Sequence, residues 1–134
     1  ELIEIWMPRA VWSGDSTWIG ADGEGMDGKK GYSSLAGGYY AARLGALEYL
    51  NGISRQATVF MVREITPDYW APLGVWVVRE AARNALQNPP QRFESIGAAL
   101  ADMSSRLQTP IEAWGPKASL IRELKCQRTL DSFF

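Results

Sequence analysis

The run Ala57 to Ile65, Ala-Thr-Val-Phe-Met-Val-Arg-Glu-Ile, constrains the fold more than any other stretch of this chain. Its β-branched and aromatic side chains follow one another almost without a break. That pattern suits a strand covered on both faces, since a half-exposed strand alternates apolar and polar positions. Thr66-Pro67-Asp68 breaks the run. A second strand is expected at Leu2 to Met7, halted by Pro8.

Helical spacing accounts for most of the remainder. One helix is expected from about Gly38 to Leu50, with Tyr40, Leu44 and Leu47 at i, i+4 and i+7. Ser33 or Ser34 caps its approach and Asn51-Gly52 supplies a left-handed stop. A second begins near Pro72 and runs to Gln87, burying Val75, Val78, Ala82 and Leu86, and stops at Asn88-Pro89-Pro90. A third, Ser95 to Leu107, carries Ile96, Leu100, Met103 and Leu107; Pro110 ends it. A short fourth spans about Lys117 to Lys125, with Leu120, Ile121 and Leu124. Residues 13 to 31 hold six glycines with Asp15, Asp22, Glu24 and Asp27, which reads as a long mobile acidic loop. The expected fold is α+β: several amphipathic helices packed on a small β-sheet, followed by a flexible C-terminal peptide tail. Residues 1–125 form the domain and 126–134 the tail.

What the chain lacks is as informative. With no histidine among 134 residues, a Ser-His-Asp triad, a Cys-His pair and histidine-ligated zinc are all excluded. One cysteine, Cys126, makes neither an internal disulfide nor an all-cysteine zinc site, and a reducing intracellular setting is the simplest reading. Lys125 and Arg128 stand close to Cys126 in sequence, but nothing else nominates it as a nucleophile. Fourteen basic against fifteen acidic residues argue against a generic polyanion-coating protein. No apolar run approaches the ~18 residues that cross a bilayer. The opening Glu1-Leu2-Ile3-Glu4-Ile5 has no basic n-region, so it is not a signal peptide and reads as a domain cut from something larger. No metal or other cofactor is expected.

The strongest functional signal is the last eight residues, Gln127-Arg128-Thr129-Leu130-Asp131-Ser132-Phe133-Phe134. Terminal peptides are usually polar, and a terminal Phe pair leaves apolar surface in water. Leu130, Phe133 and Phe134 stand at i, i+3 and i+4, so one helical or 3₁₀ turn puts all three on one side as a plug. Gln127 lies one turn further back, where its amide both donates and accepts. This order resembles the PCNA-interacting peptide with which replication and repair proteins dock on the sliding clamp. The resemblance implies that the three apolar side chains fill a cleft of the clamp while Gln127 fixes the register. The alternative is a terminal turn packed on its own core or on a homo-oligomer.

Three further stretches are distinctive: Gly37-Gly38-Tyr39-Tyr40-Ala41-Ala42-Arg43-Leu44, Arg55-Gln56-Ala57 leading to Val62-Arg63-Glu64-Ile65, and Tyr69-Trp70-Ala71-Pro72-Leu73-Gly74-Val75-Trp76-Val77-Val78-Arg79-Glu80. With the tail, they resemble the C-terminal domain of the archaeal Nre proteins. That resemblance implies a role in DNA-damage repair, a cytoplasmic, nucleoid-associated location in an archaeal cell, and a preceding N-terminal domain carrying a cysteine-rich, zinc-binding element. No metal ligand carries over to this chain. The resemblance supplies a pathway and no reaction.

Beside it stands one surface read from the residues. Trp76, Arg79 and Arg83 form a stripe on the second helix, suited to stacking a base and holding phosphates of single-stranded DNA. Arg43, Arg55 and Arg63 are candidates to join it. The competing reading pairs the arginines with Glu80 and Glu64 and packs Trp76 inside. Gly37-Gly38 serves either close strand-to-helix packing or an anion at a helix start. The acidic loop suggests an alternative class, a metal-dependent phosphoryl-transfer enzyme or nuclease using Asp15, Asp22, Glu24 and Asp27 with the arginine surface.

Overall fold

The computed structural model describes residues 1–71 and 73–126. Three strands, β1 (Leu2–Trp6), β2 (Trp18–Asp22) and β3 (Met61–Ile65), form one mixed sheet in the order β2-β1-β3. β1 and β2 are antiparallel, with Ile3 opposite Ala21; β1 and β3 are parallel, with Ile3 opposite Val62. A parallel pair needs a crossover, and helix α1 (Ala36–Gly52) lies within it. Helices α2 (Trp76–Gln87), α3 (Ile96–Ser105), α4 (Ile111–Trp114) and α5 (Ser119–Cys126) follow, with a 3₁₀ turn at Gly115–Lys117. The fold is α+β.

Because successive strand residues point to opposite faces, β1 feeds two cores. Leu2 packs with Leu35, Tyr39, Ala42 and Val78 on the α1/α2 side. Ile3 and Ile5 pack with Leu100, Trp114 and Ala118 on the side of α3 to α5. Burial on both faces therefore belongs to β1, whose first four residues are all buried. β3 is an edge strand and only Ile65 of it is fully buried. It is also shorter than the expected Ala57–Ile65, because its neighbour β1 begins at Leu2 and leaves the preceding backbone largely unpaired.

The glycine-rich segment 13–31, expected as loop throughout, contributes β2. Gly20 makes this strand possible: a Cβ there would lie 2.3 Å from Trp18 Cη2 and 2.6 Å from Leu35 Cδ2, so the Trp18 indole folds over a position that only glycine vacates.

α1 buries a different stripe from the one its leucines suggest. Gly38, Tyr39, Ala42, Gly45 and Ala46 face inward, whereas Leu44 and Leu47 are exposed. The cause is the close approach of the next helix: a Cβ on Gly45 would meet the Ala82 methyl at 3.0 Å, and one on Gly37 would meet Val75 Cγ1 at 2.9 Å. Small residues win that face because the helix axes leave no room for leucine. Leu35 occupies the N-cap with no side-chain cap; Ser33 sits two residues earlier and accepts from the Leu35 amide at 3.1 Å. In α2 only Val78 is fully buried, and Val75 is exposed. The expected start of α2 at Pro72 falls outside the described residues. Ser95 caps α3 by accepting from the Ala98 amide at 3.1 Å. The expected fourth helix is preceded by α4, which delivers Trp114 fully into the second core.

Candidate functional site

The arginine stripe on α2 takes shape around the contact with α1. Arg83 donates from Nε to Glu48 Oε2 and from Nη2 to Glu48 Oε1, both at 2.7 Å, and from Nη1 to Glu80 Oε1 at 2.6 Å. The Glu48 carboxylate holds the Arg83 guanidinium well above its ordinary pKa, and Arg83 in turn pulls Glu48 below the usual carboxylate range. Arg83 is thus a brace between helices. Arg79 makes one longer contact, Nε to Glu80 Oε1 at 3.3 Å. Trp76 is 53% exposed, so it is not a core residue.

Arg43 belongs elsewhere. It stands five positions before Glu48 on α1, about 140° around the helix, and donates to Glu24 Oε1 at 2.5 Å. Glu24 raises the Arg43 pKa. Arg63 donates to the buried Glu4 at 2.6 Å, with its guanidinium 5.9 Å from the Trp6 ring centre. Glu64 accepts from the Gln108 and Thr109 amides instead of pairing an arginine. The α2 surface therefore consists of Trp76 and Arg79, with Arg83 beside them already engaged.

Two acidic residues of segment 13–31, Asp22 and Glu24, are structural ties. Asp22 accepts from Lys29 Nζ at 2.6 Å, from the Gly23 amide at 2.8 Å and from the Ser34 amide at 3.0 Å. Burial alone would raise its pKa, but Lys29, the Ser33 hydroxyl and the two amides lower it to about 2. Glu24 pairs Arg43, and Asp27 lies 3.7 Å from Lys30. Among the described residues no three carboxylate or thiol groups gather as a metal site. The Gly37-Gly38 pair serves packing, with Val75 against the first and the Glu4 carboxylate 3.3 Å from a Cβ on the second.

Two hollows were not foreseen. A cleft of about 600 Å³ opens beyond the start of β1, between Gly23–Met26, the far end of α1, residues 57–61 and the start of α5. Glu1 stands in it and caps α5, its carboxylate accepting from the Ser119 amide and hydroxyl and the Leu120 amide at 2.7–3.0 Å. Leu47 and Leu50, unexplained as core residues, line this cleft. At the other end of β1, Trp6, Trp12 and Trp18 line a shallow hollow of about 360 Å³. Trp12 is 79% exposed and sits at φ 69°, a conformation rarely taken by bulky residues. Gln127, Leu130, Phe133 and Phe134 lie outside the described residues.

A profile described as the archaeal Nre C-terminal family matches residues 24–133. The chain belongs to the archaeal Nre family. Across its whole length it is 47% identical to the DNA repair protein NreA of Archaeoglobus fulgidus, covering 32% of that protein. It is 36% identical over 129 residues to the NreA of Haloferax volcanii, covering 93% of this chain and 31% of that one. Similarity to the A. fulgidus DNA repair protein NreB is 35% over 131 residues, 97% of this chain and 33% of NreB. The chain thus spans about a third of the length of the curated Nre relatives it matches. No solved structure matches it. No described helix is long and apolar enough to cross a membrane.

Proposed function

We propose that this Nre domain recruits a DNA-repair protein to DNA by docking its C-terminal peptide on the PCNA sliding clamp. The observation that carries the reading is the order Gln127, Leu130, Phe133, Phe134, which supplies a polar anchor and three apolar ones at the spacing of a single helical turn. Two features of the domain support it. α5 ends at the surface, with Lys125 and Cys126 exposed. Among the described residues the two cores are built from positions between Leu2 and Ile121. The relatives' shared name, DNA repair protein, fits a factor that works where clamps are loaded, in the nucleoid.

DNA is the proposed second partner, and the exposure of Trp76 favours it: an unburied indole next to Arg79 is a stacking face beside a phosphate-binding group. Of the four carboxylates that a metal-dependent nuclease would draw on, Asp22 and Glu24 are held by Lys29 and Arg43, and Asp27 lies 3.7 Å from Lys30. The decisive experiment is co-elution with an archaeal clamp of the 134-residue chain and of a chain ending at Cys126. The intact chain co-elutes and the shortened one does not, while both unfold at the same temperature. Co-elution of the shortened chain would refute the proposal.

A further inference from the structure

We propose that the 600 Å³ cleft is a strand slot, filled by the polypeptide that precedes Glu1 in a longer chain of this family, which continues β1 between residues 57–60 and residues 23–25. The geometry of the sheet leads there. β1 is the central strand, yet it starts at Leu2, and the cleft opens along its own axis.

The hydrogen-bond pattern already points past Glu1. The Met61 amide donates to Glu1 O at 2.9 Å, and the Glu1 nitrogen donates to Val59 O at 2.8 Å, the bonds of a parallel ladder with Glu1 opposite Phe60. Continued one residue at a time, that register sets the third residue before Glu1 opposite Ala57. On the antiparallel side it sets Glu1 opposite Gly23 and the residue before it opposite Glu24. Alternation along the strand then assigns two donors. The Glu24 amide points to the residue immediately before Glu1, and the Val59 amide to the one before that. Among the described residues neither amide has a hydrogen-bond partner.

The lengths agree. α1 has 17 residues, about 25 Å of helix. β1 has five, about 17 Å of strand. α1 runs on past the start of β1: Ala42 packs with Leu2, and the helix continues to Gly52. Leu47 and Leu50 line the cleft from that overhang. The apolar run Ala57–Phe60 has strand chemistry for the same reason: it is the rest of β3, waiting for its neighbour. Side-chain alternation makes the residue just before Glu1 face Met61 and α1, as Leu2 does two residues further on along the same face, so an apolar side chain is expected there.

The occupant follows from what the relatives are. This chain matches only about a third of each, so most of an Nre protein lies outside it. A chain entering through Glu1 passes the slot before it reaches anything else.

The test compares the 134-residue chain with the same chain begun several native residues before Glu1, using amide hydrogen exchange. In the extended chain the Val59 and Glu24 amides are expected to slow by at least ~10-fold, the mark of new ladder bonds. Val59→Pro should lower the unfolding temperature of the extended chain and leave the shorter one nearly unchanged, because the donor it removes is used only in the first. Unchanged exchange at both amides in the extended chain would overturn the proposal. So would protection of both amides in the shorter chain through concentration-dependent dimerisation, which would assign the slot to a second copy.

Discussion

Arg83 of α2 grips Glu48 of α1 with two parallel hydrogen bonds of 2.7 Å, tying together the helices that cover one face of the sheet. Both side chains remain partly open to water, so the pair aligns the helices more than it stabilises them. Arg83→Ala is expected to lower the unfolding temperature slightly, with an effect that shrinks as salt is added. The linkage has one sign. Arg83 depresses the Glu48 pKa, so the pair's contribution is present above the ordinary glutamate range and fades as pH falls through the depressed value. Thermal scans of the wild type and variant between neutral and acid pH measure it.

Asp22 gives a sharper pH dependence. Its carboxyl is held at about 2 against an ordinary 3.8, with a side chain only 14% exposed. A shift of that size corresponds to roughly 2 kcal/mol. That stability is fully present above about pH 4 and is lost as the pH drops toward 2. Asp22→Asn should therefore cost on the order of 2 kcal/mol at pH 7 and little near pH 2. Urea unfolding at the two pH values checks this.

Glu4 and Arg63 are a harder pair to break. Glu4 is buried beneath the start of α1 and bonded to both Arg63 and the Trp6 indole N–H. Arg63→Ala leaves that carboxylate without its cation and is expected to cost about 3–5 kcal/mol. Glu4→Gln, which keeps the hydrogen-bonding shape, should cost less. Chemical denaturation of the two variants tests the order.

On α2 the exposed Trp76 and the loosely held Arg79 carry the expected DNA contact. Affinity for a single-stranded oligonucleotide should fall steeply with salt, and Arg79→Ala should make that slope shallower by about one unit, the loss of one phosphate contact. Trp76→Ala should weaken binding by about 1–3 kcal/mol at any salt concentration. A flat salt response removes DNA from the partners of this domain.

The sequence reveals which segments become helix and strand far better than it reveals which of their faces turn inward. Ser95 marks the start of α3, because its cap is a local choice, and Leu100, Met103 and Leu107 do reach the core. Ile96 of the same expected stripe is nevertheless exposed, and the helix ends at Ser105, short of Leu107. α1 misleads, since Leu44 and Leu47 are the apolar residues but the contact with Ala82 and Val75 admits only Gly45 and Gly37. β2 hides among glycines because its stability comes from the register with β1 and from an indole lying over Gly20. For the candidate site, spacing places Trp76, Arg79 and Arg83 on one stripe of α2. It does not tell that Glu48, 35 residues before Arg83, takes that guanidinium, or that Arg43 faces Glu24 on another side of α1. Those are tertiary pairings, which no local pattern encodes.

The most direct test of clamp recruitment is a calorimetric titration of an archaeal clamp with the 134-residue chain and with the Phe133→Ala, Phe134→Ala double variant. Each lost aromatic anchor is expected to cost about 2 kcal/mol or more, so binding should become undetectable in the variant while its unfolding temperature stays at the wild-type value. Equal affinity of the two proteins would contradict clamp docking through this peptide.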